Sequence, residues 1–561
     1  MRLLKRLQSP CLLFTLLSVL VTPARGEDWR NLVQPLGTLV SVQTAATVNA
    51  LLGGKPPFDT ATDVTTINTS RPQYFVRFYN PTDPAYPSNA IGSWIMRAGA
   101  VRGLTPAQVR DLFALPAMPT HMVIVLAPSG SNMYTGIAGP IAGWGAGSGQ
   151  QSKLIGPPWV PSGNFLNQQP IMANILSYRL LAPGDNPGRI AAYLDGRIPA
   201  PYSDLETAYL NLDLLYTGAQ ANQFRSALDQ IGPARYDHLT LSALSAGVLF
   251  NDAIDQRVDL LFLGSPPGMG SRTPGRSPLP AEADPNGGQG NRVWGQAVGG
   301  LQRAAGLGFN AASGGIVAGA DRQIGDRTLA GVSLGVLRSS LDWTGPGGSA
   351  TLDRAALGGY AAWMPRDFLV QLGLTAGVSQ GDASRRIEFS TLTRSAASQL
   401  FGWDLNSRLR LGYRLPLEAL EVVPTAGIDY FYHRRNSFTE VGADSLDLCV
   451  AAADNHTLRS RVGVTLSKVV AAGNAGTLAP SLQIGWAREV YLDERALTAR
   501  LSGQPDDFTV YGKGTTADIL TLGAGVTYAS GPGFSVSLHY GLEYRQGLTQ
   551  QTLAAAVEYR F

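Results

Sequence analysis

The chain contains no apolar run long enough to cross a bilayer as a helix, which needs about 20 residues. Its one early candidate, Cys11 to Val21, is interrupted by Thr15 and Ser18 and reaches only about half that length. If the protein sits in a membrane, it must do so as a closed barrel, where every backbone group is paired. Cysteine is nearly missing as well, with two in 561 residues. Of the five histidines, His121 is the only one between residues 27 and 203, which excludes a His-based metal site there. Charge is thin at 15%, against about 25% in soluble domains. The formal net charge of +3 is spread along the chain and indicates no nucleic-acid partner.

Glycine is plentiful, at 65 residues, and mean hydropathy is close to zero at +0.01. That mixture suits a β-protein in which apolar and small polar residues alternate. At the N-terminus, Arg2, Lys5 and Arg6 precede the short apolar run, and Ala24 and Gly26 precede Glu27. These are the parts of a cleavable signal peptide over 1–26, addressed to the Sec export pathway. Its removal takes Cys11 away and leaves Cys449 alone, so no intramolecular disulfide is expected.

From Asn291 to Phe561 the pattern becomes alternation. Phe534, Val536, Leu538, Tyr540, Leu542 and Tyr544 fall on one face, with Ser535, Ser537, His539, Gly541, Glu543 and Arg545 on the other. Trp403, Leu405, Leu409, Leu411 and Tyr413 oppose Asp404, Asn406, Arg408, Arg410 and Arg414 in the same way. An apolar face opposite a charged one is inside out for a soluble sandwich, and is what lipid outside and water inside require. Such segments number about twelve, predicting a transmembrane barrel of antiparallel strands over 291–561 in contact with outer-membrane lipid. Turns at Gly325–Asp326, Pro365–Arg366 and Gly531–Pro532 look short. Those at 342–350, 381–396, 435–455 and 491–516 look long and polar. The last strand alternates Leu553, Ala555, Val557 and Tyr559 up to Phe561, which resembles the C-terminal signal read by barrel assembly machinery (Val557, Tyr559, Phe561).

Before the barrel, 204–262 reads as helical. Phe224, Ala227, Leu228 and Ile231 form a stripe, Gly232–Pro233 breaks it, and a slim helix with Ser242, Ala243, Ser245, Ala246 and Gly247 follows. A Pro/Gly-rich linker occupies 263–290. The ordered run Ala227-Leu-Asp-Gln-Ile, Tyr236, a small-residue helix, Ala253-Ile-Asp-Gln-Arg-Val, an opening Trp294-Gly and a closing Tyr559-Arg-Phe resembles the translocator region of classical (type V secretion) autotransporters of Gram-negative bacteria. The resemblance implies a barrel whose pore is filled by a helix leading to an exported passenger at the cell surface. Ser242, Ala243, Ala246 and Gly247 would be the slim part of that pore helix. The residues themselves leave a second placement open, with the helix packed on the passenger and the linker alone in the pore.

The passenger, 27–203, shows none of the repeats of a β-helix. It reads as an α+β module: extended Tyr74–Tyr79, a short helix to Phe113 with Thr105 as N-cap, Pro106 at N1 and Gln108 closing a capping box, then a strand from His121. His121 reads as structural. Tyr74, Phe78, Tyr79 and Trp94 read as core in preference to an adhesive patch. The segment Gly139-Pro-Ile-Ala-Gly-Trp-Gly-Ala-Gly-Ser-Gly-Gln-Gln is unusual, and reads first as a structural turn with Trp144 in the core. No local pairing of carboxylates marks an acid–base couple, so no catalytic constellation stands out and no cofactor or metal is implied by the residues. A binding or adhesion module for an extracellular ligand is the expectation. The order Arg77-Phe, Gly92-Ser-Trp, Ala114-Leu-Pro, Gly139-Pro-Ile, Trp144 and Gly149-Gln is also similar to secreted NAD-glycohydrolase toxin domains. That similarity implies Arg77 as a phosphate contact, Gln150 or Gln151 near the scissile bond, and Gly147 and Gly149 in a cofactor-binding segment. It leaves open an enzyme acting on NAD or a related nucleotide.

Overall fold

In the computed structural model the described residues are 37–200, 202–262, 291–325, 327–417, 420–472, 476–514, 517–530 and 534–560. The leader, the Pro/Gly-rich linker, the Gly531–Pro532 turn and Phe561 lie outside them.

The N-terminal region builds one antiparallel sheet from β1 (Gly37–Thr44), β2 (Asp63–Thr69), β3 (Gln73–Tyr79), β4 (Trp94–Met96), β5 (His121–Ala127), β6 (Asn132–Ile137), β7 (Gln150–Ile155) and β8 (Phe165–Pro170), in the order β1-β2-β6-β7-β4-β3-β5-β8. Central β3 is buried along its whole length, because both faces are covered. Tyr74, Val76 and Phe78 face one core, and Phe75 and Tyr79 face another, as the period of two requires. Helix α1 (Ala45–Leu52) follows β1, and α2 (Pro106–Leu112) carries the expected capping box between Thr105 and Gln108. Helices α3 (Asn186–Asp195), α4 (Asp204–Thr217) and α5 (Ala221–Ile231) cover the first face.

The segment 204–262 divides in space. Asp213 of α4 is fully buried and accepts hydrogen bonds from Tyr74 Oη (2.7 Å), Tyr178 Oη (2.8 Å) and Arg102 Nη2 (2.6 Å). One carboxylate thus ties α4 to β3, to the turn after Arg102 and to the 3-10 turn at Tyr178. A buried charge is tolerated only when paired and hydrogen-bonded in this way. In α5, Phe224 packs on Tyr178 and Tyr216 at ring separations of 5.2 and 5.8 Å. Helix α6 (Asp237–Phe262) then runs for 26 residues, about 39 Å at 1.5 Å per residue.

The C-terminal half is a closed barrel. Its first seven strands are β9 (Asn291–Ala304), β10 (Phe309–Ile324), β11 (Thr328–Trp343), β12 (Gly348–Trp363), β13 (Phe368–Phe389), β14 (Leu392–Tyr413) and β15 (Glu421–Arg435). Between β15 and the next barrel strand lie two short segments, β16 (Phe438–Thr439) and β17 (Leu448–Val450). Barrel strands β18 (Ala453–Ser467) and β19 (Gly476–Tyr491) follow, then the short β20 (Ala496–Leu501) and β21 (Phe508–Tyr511). Barrel strands β22 (Asp518–Ser530), β23 (Phe534–Arg545) and β24 (Leu548–Arg560) complete the wall, and β24 pairs antiparallel with β9 through Leu553↔Gly299. The twelve long strands are therefore closed, with no free edge to satisfy.

Two loop expectations change. The polar stretch 381–396 is strand: β13 and β14 are each 22 residues and turn at Ser390–Thr391. Its side chains alternate in burial to the tip, so the hairpin leaves the membrane and packs on protein. Similarly, 342–350 shrinks to a turn at 344–347. The stretches 435–455 and 491–516 carry β16, β17, β20 and β21, which form a separate four-stranded sheet. These loops are ordered because Leu446, Leu448, Val450, Leu497, Leu501 and Phe508 join the core that also holds Tyr74, Tyr193, Leu228 and Ile231.

Candidate functional site

The barrel wall separates two solvents. Outward-facing Val332, Leu334, Val336, Leu372, Leu374, Leu409, Leu411, Leu482, Ile484, Leu538 and Leu553 are exposed, as lipid contact demands. Rings mark both rims: Phe368, Tyr413, Phe534 and Tyr559 at the end with the short turns, and Phe401, Trp403 and Tyr544 at the other. Trp403 and Tyr413 lie ten positions apart on β14. At about 3.3 Å per residue and a tilt near 40°, that is a band roughly 25 Å tall, the usual height for an outer-membrane barrel. Beyond it the outward row Arg338, Asp353 and Gln380 is polar. Val557 and Tyr559 of the expected assembly signal face outward on the last strand.

The lumen holds α6, and charge sets its rotation. Asp252, Asp255 and Asp259 recur at i, i+3 and i+7, which places them on one helix face. They meet inward-facing arginines: Asp252 with Arg408 (3.1 Å), Asp255 with Arg408 (2.8 Å) and Arg461 (3.3 Å), Asp259 with Arg410 (2.7 Å). Arg257, on another face, donates to Asp321 Oδ2 (2.7 Å) and Oδ1 (3.0 Å), and pairs with Glu558 at 2.8 Å. Thr375 donates to Asn251 (2.6 Å), and Gln371 to Asp255 (2.8 Å). The structure places Ser242, Ala243, Ala246 and Gly247 in the upper half of this helix, all buried. A Cβ on Gly247 would lie 3.3 Å from Asn406 Nδ2 of the wall. Beside the lower half remains a polar cavity of about 190 Å³, bounded by the Asp252 face, Arg459, Arg461, Gln483, His539 and Glu543. The acid stripe was not singled out from sequence, although Arg408 and Arg410 were placed on the inward face. Its signal was there, in the helical spacing 252, 255, 259 and the every-second-residue arginines at 408, 410, 459 and 461.

The N-terminal module carries its own cavity, about 380 Å³, at the side of the sheet where β3, β4 and β7 meet the Gly-rich segment. Its walls bring Arg77 and Gln151 together with Lys55, Lys153, Trp94 and Trp144. Arg77 donates from Nε to Asn89 O (3.0 Å) and from Nη1 to Trp94 O (3.2 Å). Gly92 lies against its guanidinium, where a Cβ would come within 2.3 Å of Cζ. Burial pushes the Arg77 guanidinium below its ordinary pKa and does the same to the Lys153 ammonium, since both charges lose hydration. Lys153 donates to Ser93 Oγ at 3.1 Å and lies 5.4 Å from the Trp94 ring centre. Gln151 Nε2 donates to Pro57 O at 2.9 Å. The lining includes no carboxylate.

The other residues expected in this site fall elsewhere. Gln150 points to the opposite face of β7 and is not part of the lining. Gly147 and Gly149 are packed on protein: their amides donate to Asp111 O and Leu112 O, both at 2.9 Å. A Cβ would lie 2.4 Å from Ala138 O at Gly147 and 2.6 Å from the Phe113 ring at Gly149. Both glycines let the segment lie down on the end of α2. Trp144, expected in the core, is half-buried on the cavity wall, with Lys55 Nζ 4.5 Å above its ring and Tyr86 edge-on at 5.4 Å. His121 stacks on Tyr79 at 5.3 Å outside the lining. Lys55, Lys153 and Tyr86 were not singled out from sequence, because lone lysines on strands and loops carry no spacing signal. Among the described residues no group of His, Cys, Asp or Glu side chains is placed to hold a metal ion.

Residues 293–541 match the family model described as "Autotransporter beta-domain". Among solved structures, the chain is similar to the translocator domain of autotransporter NalP from Neisseria meningitidis (17% identity, TM-score 0.45, 59% of this chain and 100% of that one). It is also similar to the beta domain of the Bordetella autotransporter BrkA (18%, TM-score 0.38, 48% and 100%) and to the transport unit of AIDA-I from Escherichia coli (12%, TM-score 0.37, 48% and 90%). No curated protein matches. With a closed twelve-strand barrel, a helix in its lumen and the match over 293–541, the C-terminal part of the chain is an autotransporter β-domain, placed in the outer membrane with the N-terminal module at the surface.

Proposed function

We propose that the barrel holds a compact passenger at the cell surface as a binding module, and that the passenger's cavity takes a small anionic ligand carrying a ring. The observation that carries this is the lining itself. Lys55, Arg77 and Lys153 face it without a carboxylate, and Trp94 and Trp144 offer flat apolar walls. Uncompensated cations attract an anion, and aromatic faces accept a planar group. Export through Sec and insertion by the assembly machinery complete the reading, with 1–26 as the signal, 27–203 as passenger, 204–262 as helical linker and pore helix, and 263–290 as linker.

A second reading follows from Arg77 and Gln151 sharing one cavity: the passenger cleaves NAD or a related nucleotide. Arg77 would supply positive charge to the pyrophosphate, and Gln151 would sit near the nicotinamide bond. Titrating the detergent-solubilised full chain with NAD, by calorimetry and by a nicotinamide-release assay, separates the two. Binding without release supports the first reading, and release that is lost in Gln151→Ala supports the second. Neither binding nor release, with the fold intact, contradicts the nucleotide chemistry in both.

A further inference from the structure

The passenger and the surface end of the barrel meet through complementary side chains as well as through the chain that links them. Asp204, at the start of α4, accepts two hydrogen bonds from Arg394 near the tip of the β13–β14 hairpin, one at 2.6 Å, and others from Ser445 N (3.0 Å) and Oγ (2.6 Å). Asn211 of α4 accepts from Thr391 N (3.0 Å) and Oγ1 (2.8 Å) at the same tip. On α3, the Asn186 side chain exchanges two bonds with the Tyr511 backbone, at 2.7 and 2.9 Å. Tyr193 lies 4.4 Å from Phe508, and Arg197 pairs with Asp506 at 2.8 Å. Tyr193, Leu194, Leu205, Leu212 and Phe508 belong to one hydrophobic core.

A tethered cargo needs none of this. A covalent tether keeps a module at the surface with no interface at all, while a side-chain-matched, partly desolvated contact has the anatomy of a binding surface: an apolar centre with a polar rim. The two barrel loops, moreover, are folded into a sheet of their own, braced on the β13–β14 hairpin by Arg385, which donates to Leu446 O at 3.0 Å. We propose that the surface end of the barrel, comprising the β13–β14 tip and the sheet β16-β17-β20-β21, is a specific receptor for the chain's own passenger, holding 37–218 even after the connection between them is cut. The linkage also runs through α5, which stays with the barrel after such a cut and offers Phe224, Leu228 and Ile231 to the passenger core. A passenger so held presents its cavity in a fixed orientation, and a nick by a foreign protease does not release it.

The turn between α4 and α5 is exposed at Ala219 and Gln220, so a protease recognition sequence inserted after Ala219 can be cut on intact cells. The expected result is that the cut passenger stays with the cells and co-purifies with the barrel in mild detergent, leaving only on denaturation. In the same cut protein, Arg394→Ala with Phe508→Ala is expected to raise release about tenfold, the effect of some 1.4 kcal/mol. Passenger appearing in the medium as soon as the chain is cut would overturn the proposal. If the insertion blocks assembly, hydrogen exchange on the uncut chain reads the same interface. Amides of α3 and of β20–β21 should lose protection together in the double variant, and unchanged protection in both would overturn it.

Discussion

The passenger sheet and the barrel wall are both antiparallel and both alternate with a period of two, yet they distribute polarity in opposite senses. In the passenger, both sides of β3 are buried, with Tyr74, Val76 and Phe78 on one side and Phe75 and Tyr79 on the other. In β14, the apolar residues Leu405, Leu409 and Leu411 are the exposed ones, while Asp404, Asn406, Arg408 and Arg410 are buried. The backbone is the same in both; the solvent differs. Lipid admits an exposed leucine at no cost, and a closed barrel can bury charge only by pairing it, which α6 does with its acid stripe. The passenger pairs a few buried charges too, such as Arg102 with Asp213, but one at a time.

If that contrast is right, the most damaging change should strand a buried charge where the two regions join. Arg385 and Glu440 are both fully buried, Arg385 Nε donates to Glu440 Oε1 at 2.7 Å, and Tyr236 donates to the same carboxylate. Arg385→Met should cost about 3–5 kcal/mol by leaving Glu440 without a cation, seen as a lower unfolding midpoint of the purified protein. An arginine on the lipid face comes next. Leu334→Arg lies in the middle of the band and should cost about 2–4 kcal/mol, whereas the same measurement on Arg338→Ala, at the polar row, should show no change, since its pair with Asp353 is exposed at 3.7 Å.

In the lumen, changing Asp252, Asp255 and Asp259 together to Asn leaves Arg408, Arg410 and Arg461 without their helix partners. In planar bilayers the variant should pass more current than the parent and favour anions over cations; an unchanged current would mean that the acid stripe does not hold the helix. In the passenger, Lys153→Gln should weaken the cavity's affinity for an anionic nucleotide about tenfold, the loss of one charge-assisted contact. The pH dependence has a defined sign. The free-state Lys153 pKa lies below the ordinary lysine value, and a bound anion raises it, so affinity should be constant near neutrality and fall once pH climbs through the free-state value. Lys153→Gln should lose that alkaline fall.

The barrel was legible because its pattern is driven by solvent alone. About twelve alternating segments were expected over 291–561, and twelve long strands close the barrel. Less legible was the tip of the β13–β14 hairpin: 381–396 looks like a loop because its outward residues are polar, and the protein packed on it explains why they stay paired as strand. The capping box at Thr105 and Gln108 was readable because it is local. The cavity was half readable: Arg77 and Gln151 stood out, but Lys55 and Lys153 reach it from α1's loop and from β7, a juxtaposition that no spacing encodes. Gly147 and Gly149 misled for a related reason. Glycine permits close approach, and here what approaches is α2.

The central claim, a passenger held outside the cell by an outer-membrane barrel, is tested most directly by an epitope placed after Glu27 and probed with antibody on intact Gram-negative cells. The epitope should be reached without opening the outer membrane and be lost when the cells are treated with protease. An epitope reached only after the outer membrane is permeabilised would place the N-terminal module in the periplasm and contradict the account.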